Sequence, residues 1–255
     1  MKRLKKATTY LFIFLGITLQ CFAQNNGNRY EFWQKGCKIT YESFQGDTLN
    51  ISKFKADNYK SVLSQGLWSA LDIPQKKKDW KNLKEKYYFC AAIDKSESYL
   101  IETDSMSLKQ AQLLWDICEL ATRIARKSLS DFEHEMESKS IRTKMSKKSI
   151  KIYGPGTKKL HATGIISLHY MTAVNDGKEF GQRLTNDFIK QVIMPQNDSL
   201  FYEFRKNVDG LLNTTKDFAT SEEEIARLSS GIPSKGYKKA PVIIGDSKKR
   251  ETIFY

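Results

Sequence analysis

The sequence predicts an α+β fold in which a small antiparallel sheet packs on one long helix, followed by a more helical C-terminal region. The long helix is predicted at residues 107–128, where apolar residues recur at helical spacing without Pro or Gly. Strands are predicted at 87–93, by alternating polarity, and at 99–103. Amphipathic patterns predict two further helices, at 178–194 and 199–212.

The first 23 residues have the composition of a secretory signal peptide. They have four basic residues in the first six positions, an apolar run and a small-x-small ending, so we expect cleavage after Ala23. Lipid attachment at Cys21 is not expected, because Gln20 stands where a lipobox has a small residue. No apolar run reaches the roughly 20 residues of a membrane-spanning helix. The mature protein is therefore expected in the periplasm or outside the cell, without a transmembrane segment.

The mature chain is predicted to be basic. Removing the signal peptide lowers the formal charge from +13 to +9, because residues 1–23 hold four basic and no acidic residues. Basic runs lie at 76–78, 147–148 and 248–250. They form either a solvated surface or a contact for an anionic glycan or membrane, and nucleic acid is the partner least expected of an exported protein.

The mature chain has three cysteines, so at most one disulfide can form. Cys90 lies in a predicted strand and Cys118 on the apolar side of the long helix. Both are predicted to be buried small hydrophobes rather than nucleophiles. Cys37 is the third cysteine of the mature chain.

Shorter elements are predicted along the rest of the chain. Ser105 and Ser107 are available to cap the long helix, and a short helix is predicted to start at Ser221. Residues 164–171 are predicted to form a strand. The polar stretch 131–148 is predicted to extend the long helix into solvent before Gly154-Pro155-Gly156 ends regular structure.

Beyond its periodicity, the long helix resembles the active-site helix of a bacterial family. This is the secreted domain-of-unknown-function family 922, predicted zinc-dependent proteases, with the pattern LxHEQxHFDIAExxARxxR. The chain keeps seven residues of this pattern: Leu108, Gln112, Asp116, Ile117, Glu119, Arg123 and Arg126. It has Gln110 and Leu114 at the two His positions and Ala111 at the catalytic Glu.

Two earlier segments extend the resemblance to residues 36–130. Residues 38–46 (KITYESFQG) resemble the family's opening strand and turn, LTWxDFxG, and residues 89–100 (FCAAIDKSESYL) resemble vxAxFDxxxSWVK. Tyr41 and Tyr99 stand where the family has Trp. The resemblance implies strands at 38–43 and within 57–71.

The substituted positions predict that the zinc chemistry is lost. An HExxH helix binds zinc through two His on one face, and its Glu activates the bound water. Gln110, Ala111 and Leu114 supply neither function, and Glu119, at the family's third-ligand position, is a poor zinc site alone. We therefore predict no catalytic residue, no metal and no cofactor, and interpret the chain as a pseudo-protease-like module that binds a cell-envelope protein or anionic glycan.

Two alternatives stay open. One is a metal-dependent hydrolase with a relocated site, built from Asp116, Glu119 and the C-terminal histidines His161 and His169. These histidines would be roughly 25 Å apart on an extended strand, too far to share a metal unless the chain turns between them. His134-Glu135 begins an HExxH-like pattern, but its second His is missing. The other alternative is a basic adaptor for anionic glycans or membrane surfaces.

The predicted organisation has five parts. The signal peptide (1–23) precedes a degenerate zincin-like domain (24–130) and a charged helical extension or linker (131–151). A C-terminal α/β region (152–230) and a loose basic tail (231–255) follow.

Overall fold

The computed structural model describes residues 29–47, 58–76, 78–79, 83–138 and 165–240. These residues form a four-stranded antiparallel sheet, a two-stranded sheet and four α-helices, so the predicted α+β class is confirmed. The signal peptide, His161 and the last fifteen residues lie outside the described ranges. No described helix has both the length and the apolarity needed to cross a membrane.

The main sheet has the strand order β1-β4-β3-β6. Its strands are β1 (Tyr30–Phe32), β3 (Gln65–Pro74), β4 (Lys86–Asp94) and β6 (Tyr237–Lys239). Strand β6 pairs antiparallel with the end of β3. The predicted loose tail is therefore wrong for residues 237–239, which form the edge strand at one side of the sheet.

Strands β2 (Ser61–Val62) and β5 (Tyr99–Leu100) form the small second sheet. Together with β3, β2 confirms the strand pair predicted within 57–71, while β5 is shorter than predicted. The strand predicted at 38–43 is wrong. This stretch includes a single 3-10 turn, Tyr41–Ser43, in which the Ser43 hydroxyl bonds the buried Glu31 carboxylate.

Helix α1 (Ser105–Ser138) contains the long helix predicted at 107–128, and the extension predicted from residue 131 is confirmed as far as Ser138, where this described range ends. Asp104, rather than either predicted serine, caps its first turn by accepting bonds from the Ser107 backbone N–H at 2.6 Å and hydroxyl at 2.8 Å. A hydrogen bond from Lys60, with those from Ser107, lowers the pKa of Asp104 to about 2. The cap is therefore charged at neutral pH, where it complements the positive end of the helix dipole.

The C-terminal helices are α2 (Ile165–Phe188), continued by the π-helical segment Ile189–Ile193, α3 (Asp198–Thr214) and α4 (Glu222–Ser230). They confirm the predicted helices, and Ser221 caps α4 through a capping box. The strand predicted at 164–171 is wrong from residue 165 onward. There, Ile166, Tyr170 and the following apolar residues face the core with helical rather than alternating spacing.

Helix α1 lies at the centre of the molecule. It packs on β3 and β4 on one side and on α2 and α3 on others. One core cluster joins Trp33 and Leu63, early in the chain, to α1 and to Phe201 and Val208 of α3. Helix α4 covers the second face of the sheet through Ile225. Elements on both sides of the predicted 131–151 linker thus contribute to one hydrophobic core.

Candidate functional site: two faces of the long helix

The three positions aligned with the HExxH residues of the resembled pattern are buried in α1. Gln110 is 4% exposed, Ala111 is fully buried and Leu114 is 8% exposed. At 100° per residue, Gln110 and Leu114 share a face with Ala121 and Ala125. A ligand approaching this face from solvent would have to displace what packs on it.

Helix α2 packs very closely on this face. A Cβ atom at Gly177 would lie 2.4 Å from the Ala121 carbonyl oxygen, and one at Gly181 would lie 2.9 Å from the Ala121 Cβ. Glycines four residues apart on α2 therefore meet alanines four residues apart on α1. The contact requires small residues on both helices.

The same interface reaches the substituted positions. One turn toward the start of α1, Ile117 and Cys118 line a small crevice with Thr185 of α2. The two helices run antiparallel, so residues earlier in α1 lie nearer to residues later in α2. Leu114 belongs to the same core cluster as Phe188 and Val192, at and just beyond the end of α2. The face of α1 that carries Leu114 is therefore covered by helix packing, and Gln110 on the same face is buried.

The crevice also contains the side-chain amide of Gln65. Its Oε1 atom is buried without a hydrogen-bond partner. Gly181 and Ala121 complete the lining, and the space suits about one water molecule.

The opposite face of α1 is polar and equally buried. Glu119 is fully buried, and its carboxylate accepts bonds from the Thr122 hydroxyl (2.9 Å), Arg123 Nε (2.8 Å), and the Thr220 backbone N–H (3.0 Å) and hydroxyl (2.7 Å). Four donors satisfy this carboxylate. Glu119 therefore fixes the loop before α4 rather than presenting a free ligand.

Asp116 and Gln112 hold other parts of the chain to the same face. Asp116 accepts bonds from Trp33 Nε1 (2.8 Å), Gln112 (3.2 Å) and Arg205 of α3 (2.6 Å). The side-chain amide oxygen of Gln112, Oε1, accepts a hydrogen bond from the Ile39 backbone N–H at 2.9 Å. These bonds attach α3 and the N-terminal segment to α1.

The two arginines of this face bind backbone carbonyls. Arg126 donates to Phe89 of β4 at 2.7 Å and to Phe218, and pairs with Glu224 at 2.9 Å. Arg123 donates to Leu212 at 2.6 Å. All five polar residues kept from the family pattern thus make tertiary contacts.

A further buried ion pair was missed by sequence reasoning. Arg227 of α4 makes a bidentate pair with Asp72 of β3 at 2.6 and 2.7 Å, and Asp72 is fully buried. The sequence carries one indication of this pair, because Asp72 stands among apolar strand residues. A buried carboxylate requires a cationic or hydrogen-bonding partner. No local pattern identifies that partner 155 residues away.

The histidines in the described residues have structural or exposed positions. His169 lies on α2, stacks on Phe132 with ring centroids 4.5 Å apart, and is 3.2 Å from the Ser128 hydroxyl. His134 is exposed on α1. Within the described ranges, no three His, Cys, Asp or Glu residues are grouped to hold a metal ion.

The cysteines match their predicted environments. Cys90 and Cys118 are buried, and burial raises the pKa of both thiols well above its ordinary value. Cys37 is partly exposed, and the buried Cys90 and Cys118 are free thiols. Neither buried thiol has the environment of a reactive nucleophile.

Comparison with family models, curated proteins and solved structures gives no match to this chain. Its class is therefore defined by fold and helix alone: an α+β protein built around a central helix that is buried on opposite faces. Membership of the zinc-protease-like family stays a prediction.

Proposed function

We propose that the chain is an exported, non-catalytic relative of the zinc-protease-like family that serves as a binding module in the cell envelope. In this proposal the former active-site helix has become an internal scaffold. The observation that carries it is the position of Gln110 and Leu114 on the face of α1 that packs against α2. A catalytic zinc requires a coordination position open to substrate.

The residues kept from the family pattern also support a scaffold role. Gln112, Asp116, Glu119, Arg123 and Arg126 all bind other segments of this chain. Retention of these residues without the metal ligands is expected when packing, rather than catalysis, is maintained.

The alternative of a relocated hydrolytic site gains no support from those of its candidate residues that the structure describes. Asp116 and Glu119 use their carboxylates in bonds within the chain, and His169 stacks on Phe132. A working site would have to break these contacts before binding a metal.

Zinc content tests the proposal. The mature chain is incubated with zinc, freed of loosely bound ions and measured by elemental mass spectrometry. We expect clearly less than one zinc per chain. One tightly held zinc would refute the loss of the site, and His161, His169 and Glu119 would be the first ligands to replace.

A variant with the family residues restored makes a matched control. Gln110→His, Ala111→Glu and Leu114→His together recreate the HExxH residues on the same helix. We expect this variant to lose stability without gaining stoichiometric zinc, because α2 covers the face. Tight zinc binding by the folded variant would show that the face remains accessible.

A further inference from the structure

One end of the main sheet carries an unusual concentration of lysines, here named the lysine edge. Its members lie at the end of β3 and just beyond, around the start of β4, and in β6 with the turn before it. They are Lys76, Lys78, Lys84, Lys86, Lys235, Lys238 and Lys239.

Pairing of β6 with β3 brings these lysines together from distant parts of the sequence. Lys238 pairs with Ile73, and the backbone N–H of Gln75 donates to the Gly236 carbonyl at 2.8 Å. Tyr237 links the third segment, because its hydroxyl donates to the Lys84 carbonyl at 3.1 Å. The resulting surface is created by folding and is absent from any single run in the sequence.

Most of the positive charge on this surface has no acidic partner. Lys84 pairs with Glu133 and Lys86 with Glu223, each at 3.0 Å. The other five lysines are exposed and form no ion pair with a carboxylate among the described residues. Like charges held together repel one another, and a bound polyanion relieves that repulsion.

Protection of the sheet edge explains only part of this arrangement. Lysines on an edge strand prevent pairing with a strand of another molecule, which accounts for Lys238 and Lys239. Lys76, Lys78 and Lys235 lie in the flanking turns, where no strand edge needs protection. The surface carries more cations than edge protection requires.

We infer that the lysine edge binds a linear anionic polysaccharide. Residues 237–239 of β6 span only roughly 7 Å at strand rise. Lys235 and Lys76 continue the surface into the flanking turns, so the lysines form a narrow strip suited to a chain carrying charges at intervals. Lysine ammonium groups are flexible point charges, which suit dispersed carboxylates better than one fixed planar partner. This inference deepens the proposed binding role by naming the class of partner.

The test compares two triple variants of the mature chain. Lys235→Gln, Lys238→Gln and Lys239→Gln alter the lysine edge. Lys190→Gln, Lys206→Gln and Lys216→Gln are the matched control. They remove the same charge from exposed lysines that also form no ion pair with a described carboxylate.

Binding to polygalacturonate is measured by titration calorimetry over a series of NaCl concentrations. We expect the edge variant to bind at least about tenfold more weakly, with a salt dependence reduced by roughly two to three in log–log slope. The control should change the Kd less than about threefold, because its lysines lie elsewhere. Circular dichroism confirms that both variants are folded.

Three results would overturn the inference: no binding by the unmodified chain, equal losses in both variants, or tighter edge-dependent binding to phosphatidylglycerol vesicles than to polygalacturonate. The last would identify a membrane surface as the partner. Zinc content is measured separately, so failure here leaves the scaffold proposal standing, and zinc binding would leave this test valid.

Discussion

The two opposite faces of α1 are both buried, but they are stabilised by different means. The face toward α2 uses small and apolar residues, with Ala121 against Gly177 and Gly181. The other face uses charges, with Glu119 and Arg126 bonded to distant segments. Close packing on the first face depends on volume, whereas the second depends on every charge keeping its partner. The middle of this helix is therefore buried on two opposite faces, although only one of them is apolar.

Removal of the buried Glu119 charge should have the largest effect on the stability of the fold. In Glu119→Ala, Arg123 loses its carboxylate partner and two Thr220 donors lose their acceptor. We expect the free energy of unfolding in urea to fall by about 3–5 kcal/mol.

Asp131→Ala is the matched control on the same helix. Lys127 and Asp131 have the same four-residue separation as Glu119 and Arg123, but both are exposed. The control should cost less than about 1 kcal/mol. Similar losses in the two variants would mean that burial does not distinguish these pairs.

A larger side chain in the α1–α2 contact should destabilise the packed face. Gly177→Ala places a methyl group against the Ala121 carbonyl, so the helices must separate, and we expect a loss of about 1–3 kcal/mol. Gly210→Ala on α3 meets open space and should stabilise the protein by roughly 0.5–1 kcal/mol. Thermal unfolding of both variants measures whether the two substitutions change stability in opposite directions. Stabilisation by Gly177→Ala would contradict the close approach of α2 to α1.

Substitution at Gln110 should have the smallest effect. It lies on the packed face, 4% exposed, so we expect Gln110→Leu to change stability by less than about 1 kcal/mol or to increase it. Urea unfolding provides the measurement. A loss above about 2 kcal/mol would show that the Gln110 amide makes an essential hydrogen bond, and both faces of α1 would then depend on buried polar contacts.

The elements predicted correctly are those with strong local patterns. Residues 107–128 are long and strongly periodic, and Ser221 with Glu224 forms a recognisable capping box. The strand assignment at 164–171 failed because a short apolar run fits either a strand or a buried helix until its packing partner is known. The strand at 38–43 came from family resemblance alone, and those residues form a turn and extended loop instead.

The buried polar contacts could be predicted only in part. The resemblance singled out Asp116, Glu119, Arg123 and Arg126, and their positions on one helical arc follow from the sequence. Their partners, such as Thr220 and Leu212, lie about 90 to 100 residues away and carry no local signal. For the same reason, the sequence showed only two separate parts of the lysine edge, the basic run 76–78 and the basic C-terminal tail.

The pairing of β6 with β3 has a consequence for when the chain can fold. The paired residues are more than 160 positions apart, and the loop held by Glu119 is about 100 residues further along the chain. Contacts of such long sequence separation form late and slow folding. A chain synthesised from its N-terminus has to emerge almost completely before β6 can pair with β3. We expect β3 to lack this neighbouring strand until then.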